Sequence, residues 1–289
     1  MTRFSLEKLD GTNFIERSDT LDRTEQMLPT THTLENTPLK LDVFFLPSAL
    51  VQASETAQDV YIVIDLIRAT TCMAVILDGG AKCIFAAGSI EQARAARERY
   101  PQRLLCGERN VKPLPGFDYG NSPVQFSQSD LRARELIMTT TNGTRAFHAC
   151  PPDAPRLAGS LYNAEAVTSK ALELATARQV NIHLVCSGER DRFGLDDAVC
   201  AGYLARELQR QAGQMGQTLQ INDSVKAALA LYATFEPPRL LTHCNAAREV
   251  IEGGLPDDPL FCLRTSVSQS VGMVVGQEAE TDLLVIERA

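Results

Sequence analysis

An α/β fold, layered α/β/α around a largely buried mixed sheet in one domain or two lobes, is predicted by three features of the 289-residue sequence. Short apolar runs rich in β-branched residues recur along it. Amphipathic segments lie between them, and polar clusters fall where a run gives way to an amphipathic segment.

In chain order, residues 1 to 38 come first, with Arg3, Lys8, Arg17 and Arg23 set against seven acids, isolated apolar residues and no sustained period. This composition predicts a flexible extension, ended by Pro38 and followed by a domain over residues 39 to 289. "LDVFFL", "VYIVID", "KCIFAA", "RLLCG", "ELIMTT", "NIHLVCSG" and "DLLVIE" then read as strands buried on both faces. "SIEQARAARERY" reads as a helix opened by Ser89 and Gln92 in capping-box spacing. "NAEAVTSKALELATAR", "DDAVCAGYLARELQR" and "NDSVKAALALY" carry helical periodicity as well.

Composition removes several function classes. A formal charge of -8 argues against a nucleic-acid partner or an acidic membrane surface, which select clustered Lys and Arg. The eight cysteines form no CxxC pair and only four histidines are present, so a zinc knuckle is not expected. Most cysteines lie in apolar runs, where a reduced thiol packs as a small hydrophobe. The N-terminus lacks a signal-peptide core and no run reaches membrane-spanning length, which points to a cytoplasmic location.

Three strand-to-helix junctions hold the polar clusters. "VYIVIDLIRATT" passes through Asp65, Arg68, Thr70 and Thr71; "LIMTTTNGTRAF" passes through Thr140, Asn142, Thr144 and Arg145; "NIHLVCSGERDRFGLDDAVCAG" passes through Ser187, Glu189, Asp191, Asp196 and Asp197. In open α/β sheets the ligand crevice lies beyond the carboxyl ends of strands, where helix N-termini present free N–H groups. Threonines, an amide and arginines there suit an anion; the carboxylates among them suit a hard cation beside it. The same threonines and Asn142 also read as helix caps, and Gly143 as a turn residue with positive φ. A fourth stretch, "CGERNVKPLPGFDYGNSPVQF", lacks period and carries Glu108, Arg109, Asp118, Asn121 and Ser122 among turn formers, as functional loops do.

"VIDLIRATT", "GERNVKPLPGFDYGNSP", "TTTNGTRA", "GSLYNAEAV" and "VCSGERDRFGLDDAVCAG", in this order, resemble the 2-phosphosulfolactate phosphatase family over roughly residues 41 to 235, with a weaker continuation to about residue 270. The resemblance implies an α/β fold and a Mg²⁺-dependent acid phosphatase hydrolysing 2-phospho-3-sulfolactate to 3-sulfolactate and phosphate, a step toward coenzyme M. Similar chains occur in organisms not expected to make coenzyme M, which leaves another small anionic phosphoester open. Two departures stand out: Asn110 and Val111 replace a Gly-Gly pair frequent in the family, and "HCNAAREVIEGG" matches poorly.

Residues and resemblance converge on one set of candidates. Asp65, Glu108 and Asp197, then Asp118 and Asp196, are the expected Mg²⁺ ligands. Asp65, Arg68, Arg145 and Asp197 are the expected catalytic groups, the arginines neutralising phosphoryl oxygens while an oriented water attacks. Thr70, Thr71, Ser122, Thr140, Asn142 and Thr144 are the expected substrate donors, and a homo-oligomer is compatible with the chain.

Rival chemistries lack their residues. Asp65 is followed by Leu66 and Ile67, not by the Asp-x-Asp of a haloacid-dehalogenase-type phosphatase. Neither a P-loop nor a G-x-G-x-x-G turn occurs. Cys186 to Arg192 fits the C-x₅-R pattern of a cysteine phosphatase, yet Glu189 and Asp191 would repel the phosphate and raise the thiol pKa. Cys186 is therefore expected to be a buried strand residue. A metal- or anion-binding module without turnover would use the same cradle.

Overall fold

Every side chain of the run Val60–Ile64 is buried, and the chain alternates them between two cores. Val60, Ile62 and Ile64 pack with the helices of one layer, while Tyr61 and Val63 pack with those of the other. That alternation is the period-2 geometry of a strand covered on both faces. The structure is a computed structural model describing residues 38–52 and 58–289. The expected extension therefore lies outside the described residues, apart from Pro38.

Among the described residues, eleven strands form one mixed sheet: β1 (Lys40–Phe44), β2 (Val60–Ile64), β3 (Cys83–Ala86), β4 (Leu104–Arg109), β5 (Lys112–Pro113), β6 (Glu135–Thr139), β7 (Arg156–Gly159), β8 (Ile182–Cys186), β9 (Gln220–Ile221), β10 (Gly272–Glu278) and β11 (Leu283–Arg288). Their spatial order is β5-β4-β6-β3-β11-β10-β7-β2-β8-β1-β9. Strands β7, β2, β8, β1 and β9 make one parallel block, and β3, β6 and β4 make another. The antiparallel β10–β11 pair joins them, so the blocks run in opposite senses. The carboxyl ends of β2 and β4, one from each block, nonetheless contribute Asp65 and Glu108 to one cleft.

The helices are α1 (Ala69–Asp78), α2 (Ile90–Arg99), α3 (Pro123–Ser127), α4 (Gly143–Ala149), α5 (Ala164–Arg178), α6 (Leu195–Gln214), α7 (Asp223–Thr234), α8 (Arg239–His243), α9 (Asn245–Glu252) and α10 (Asp257–Cys262). One layer holds α5, α6 and α7 against β1, β2 and β8. The other holds α1, α3 and α4, with α2 closing a smaller core against β3 and β6. Ser89 caps α2 by accepting the Gln92 N–H, while the Gln92 side chain reaches back to the Gly88 N–H. All seven apolar runs form strands. The sequence reading missed β7, with only four residues, and β10, whose Gly272–Glu278 register shifts at a bulge and whose polar tail hides the period. None of the described helices is long and apolar enough to cross a membrane.

Candidate active site

The carboxyl end of β2 delivers Asp65. Its Oδ1 accepts the Ala69 N–H at 3.1 Å, so one oxygen closes the first turn of α1. Its Oδ2 approaches Gly143, where a Cβ would come within 2.7 Å of that oxygen and of the Ala69 Cβ. Gly143 is thus required by the close approach of α4 to α1, and its φ is not positive as the sequence suggested. Thr70 and Thr71 stabilise the same junction: Thr70 Oγ1 donates to the Asp65 carbonyl and accepts its N–H, and Thr71 Oγ1 donates to the Leu66 carbonyl.

The first turn of α6 adds two more buried carboxyls. Asp197 accepts the Leu66 N–H and the Gly188 N–H, each at 2.9 Å, and so ties the junction after β2 to the junction after β8. Asp196 accepts backbone N–H groups including that of Ile67. Glu108, at the end of β4, closes the cleft from the other block: Oε1 accepts the N–H and hydroxyl of Thr141, and Oε2 accepts the Val111 N–H.

Crowding the three aspartates away from water disfavours their charged forms. Burial pushes the Asp65 carboxyl up to about 7 against the opposing Ala69 N–H bond, with Asp196 and Glu108 adding to the rise. Burial likewise takes Asp196 to about 6 and Asp197 well above the usual range, the latter helped by Asp196 and Asp65. A cation among them would relieve that strain.

Arg68 supplies positive charge from the same loop and is nearly fully buried. Nη1 donates to Asp258 Oδ2 at 2.8 Å and Nη2 to the Val111 carbonyl at 3.0 Å, which fixes the guanidinium plane. Asp258, on α10, is fixed in turn by the Ser122 hydroxyl at 2.6 Å. A second arginine, Arg190, lines the cleft from a tight turn in which Glu189 and Arg192 exchange backbone hydrogen bonds and Arg190 and Asp191 have φ of 49° and 61°. Positive φ at both central residues is the type I′ signature, and it aims Arg190 inward, where its Nη2 donates to Asn110 Oδ1.

Asp65, Arg68, Glu108 and Asn142 thus share one cleft with Asn121, Glu189, Arg190 and Glu249. The expected groups do not all reach it. Arg145 lines a neighbouring depression and pairs with exposed Asp191 at 3.2 Å. Asp118 pairs with Arg97 at 2.6 Å, accepts the Leu105 N–H, and lines a separate hollow with Lys82 and Arg134. Thr140 and Thr144 bond to one another across the first turn of α4, leaving Asn142 the donor that faces the cleft. Ser122 is engaged by Asp258 and by capping α3.

Asn110 and Val111, the departures noted above, have φ of 49° and 71°. A Gly-Gly pair would adopt those angles freely. Asparagine tolerates them, but a β-branched valine is strained there and is held by its bonds to Glu108 and Arg68. Cys186 is buried at the end of β8, where burial pushes its thiol well above the usual range, so it is no thiolate nucleophile. All eight cysteines are free and buried.

Asp258, Glu249 and Arg190 were missed as site residues. Asp258 and Glu249 lie on short helices with no local motif, whereas Arg190 belongs to the "SGERDRF" stretch that already signalled a junction. Among the described residues no three His, Cys, Asp or Glu side chains converge to enclose a metal ion. Mg²⁺ does not demand this, since it commonly takes one or two carboxylates and keeps waters. The donor set suits it: four carboxylates, Asp65, Glu108, Glu189 and Glu249, line the cleft, and among the described residues the buried Asn121 Oδ1 there has no hydrogen-bond partner.

Comparison with known proteins identifies the family of the chain. The family model described as 2-phosphosulpholactate phosphatase matches residues 45–277. A probable 2-phosphosulfolactate phosphatase of Thermus thermophilus is 36% identical over 233 residues, covering 80% of this chain and 93% of the relative. Its counterpart in Deinococcus radiodurans is 36% identical over 219 residues, 75% of this chain and 88% of the relative. That of Carboxydothermus hydrogenoformans is 31% identical over 229 residues, 79% and 90% respectively. With a family match spanning nearly all the described domain and relatives similar along most of their length, the chain belongs to the 2-phosphosulpholactate phosphatase family.

Proposed function

We propose that the chain hydrolyses 2-phospho-3-sulfolactate to 3-sulfolactate and phosphate with Mg²⁺ as cofactor. The relatives' names support the substrate. The observation that carries the chemistry is the cleft itself, where Asp65 and buried Arg68 meet beside the unpartnered Asn121 oxygen. Asp65, Glu108 and Asn121 would hold the ion, with Asp196 and Asp197 behind Asp65 bracing the loop. Bound there, Mg²⁺ would neutralise charge on the phosphoryl oxygens.

The rest of the work falls to side chains. Arg68 presents a fixed guanidinium to the phosphoryl group, and Arg190 adds a second, more exposed donor. A water attacks phosphorus; its oxygen bonds to phosphorus as the bond to the ester oxygen breaks, and the departing alkoxide needs a proton. Glu189 lines the cleft with a carboxyl raised above its ordinary value by burial and by a hydrogen bond to Glu249, so it is the group placed to give that proton. Product release as 3-sulfolactate would fit a coenzyme M type of step in the cytoplasm.

Phosphate release from 2-phosphosulfolactate and a panel of small phosphoesters, with Mg²⁺ and with chelator, tests this reading. Mg²⁺-restored release favouring the sulfonated ester supports it, and preference for another ester would keep the chemistry while changing the substrate. Release from none would leave a binding module.

A further inference from the structure

The ester carries three anionic groups, and the cleft has obvious places for only some of them. On the reading above, Arg68, Arg190 and the ion held by Asp65, Glu108 and Asn121 would serve the phosphate. Of the donors expected for the remaining anions, Thr140, Thr144 and Ser122 are engaged within the protein. Asn142 remains, and it faces two ways. It lines the cleft, and it also lines a depression of about 180 Å³ alongside.

That depression is furnished for an anion. Arg145, on the first turn of α4, projects into it with a half-exposed side chain whose one charged partner among the described residues is Asp191. Ser187, only 5% exposed, also lines it, and its Oγ has no hydrogen-bond partner among the described residues. A buried hydroxyl without a partner is uncommon in a folded protein and is satisfied when a ligand oxygen arrives. Pro47 and Ala149 give the depression an apolar wall suited to a methylene.

We propose that Arg145 and Ser187, with Asn142 at the junction, form a subsite for a sulfonate joined through a short carbon chain to the phosphate ester, and that this subsite sets the preference for a sulfonated substrate. The inference rests on the phosphatase reading above for its substrate class, but reassigns Arg145 from the phosphoryl group to the far end of the molecule. Asp191 now holds Arg145 from an exposed position, and the incoming sulfonate takes its place. Asp191 is therefore a competitor for the arginine, and removing its charge should improve binding.

The test is a ratio. kcat/KM is measured for 2-phosphosulfolactate and for 2-phospholactate, which has hydrogen in place of sulfonate, in the full chain and in Arg145→Ala, Arg145→Lys, Ser187→Ala and Asp191→Asn. Arg145→Ala should lower the preference for the sulfonated ester on the order of tenfold or more, as expected for loss of a charged hydrogen bond. Arg145→Lys should restore part of it, Ser187→Ala should lower it less, and Asp191→Asn should raise it. An unchanged ratio in Arg145→Ala, whether both esters suffer or neither does, overturns the subsite. Calorimetric titration with 3-sulfolactate and with lactate reads the subsite without turnover. If neither ester releases phosphate the phosphatase reading fails, and the subsite still stands or falls on whether Arg145→Ala abolishes the tighter binding of 3-sulfolactate.

Discussion

Arg68 Nη1 meets Asp258 Oδ2 at 2.8 Å across 190 positions of sequence, with each side chain only 2% exposed. The pair fastens the loop after β2 to the short helix α10, and Ser122 steadies it from the loop before α3. On the proposed mechanism, the guanidinium that meets the phosphoryl group is thereby aimed by a residue that itself stays off the substrate.

Arg68→Ala should lower kcat/KM by about 10²-fold or more, the scale of losing one preorganised oxyanion donor. It also strands Asp258 as a buried charge, and breaking a buried pair in this way costs about 3–5 kcal/mol. The thermal midpoint should therefore fall together with activity. Asp258→Asn keeps a polar neighbour for the arginine and should act mainly on kcat through misalignment. Full activity in Asp258→Asn would show that Val111 and the loop suffice to orient Arg68.

The pH dependence of stability follows from the raised acids. Unfolded, their carboxyls titrate near about 3.9; folded, Asp196 and Asp65 keep protons to about 6 and about 7. Between those limits the native state binds more protons than the unfolded one, so stability falls as pH rises. With chelator present the melting midpoint should drop from pH 5 to pH 8, and Mg²⁺ added at pH 8 should raise it. A midpoint that climbs over this range would mean the acids are compensated within the protein.

Val111→Gly should raise the melting midpoint. Valine at a φ of 71° stores strain on the order of 1–3 kcal/mol, only part of which glycine's extra chain entropy cancels. Val111 Cγ1 also lies where a Cβ on Gly253 would meet it at 2.7 Å, so its side chain packs closely. A lower midpoint in the variant would show that this packing outweighs the strain.

If Glu189 protonates the leaving oxygen, its loss should matter only where the leaving group is a poor one. Glu189→Gln is expected to slow alkyl esters about 10²-fold or more while slowing an aryl ester such as p-nitrophenyl phosphate far less. The basic limb of the kcat profile should move when Glu249→Gln removes the neighbouring charge that raises Glu189. Equal losses on both ester types would assign Glu189 to binding.

Much of this architecture was legible from short-range pattern. Runs such as "VYIVID" are apolar on both faces because both faces of β2 are covered, and Ser89 announces α2 through a bond only three residues long. The hairpin strand β10 was not legible, because its outer half is polar, its register with β11 shifts at a bulge and its other neighbour is distant β7. At the site, Asp65, Arg68, Glu108 and Asn142 announced themselves by following strands. Thr70, Thr71, Thr140 and Thr144 do so too, yet their hydroxyls bond nearby backbone, and no local signal separates such a hydroxyl from a ligand-binding one. Asp258 and Glu249 reach the site by tertiary packing of helices that carry no motif.

The β10–β11 hairpin, seated between the two parallel blocks, bears on how the protein comes to exist at all. On the ribosome these strands emerge after every other described element. Until then, a nascent chain holds Asp65 on one block and Glu108 on the other with two raw sheet edges, β7 and β3, exposed between them, the kind of surface on which half-made proteins aggregate. The cleft is thus a late product of synthesis. A frameshift near residue 272 would leave β3 and β7 unbridged in the sheet, with the shared core beneath α1 the remaining tie between the blocks.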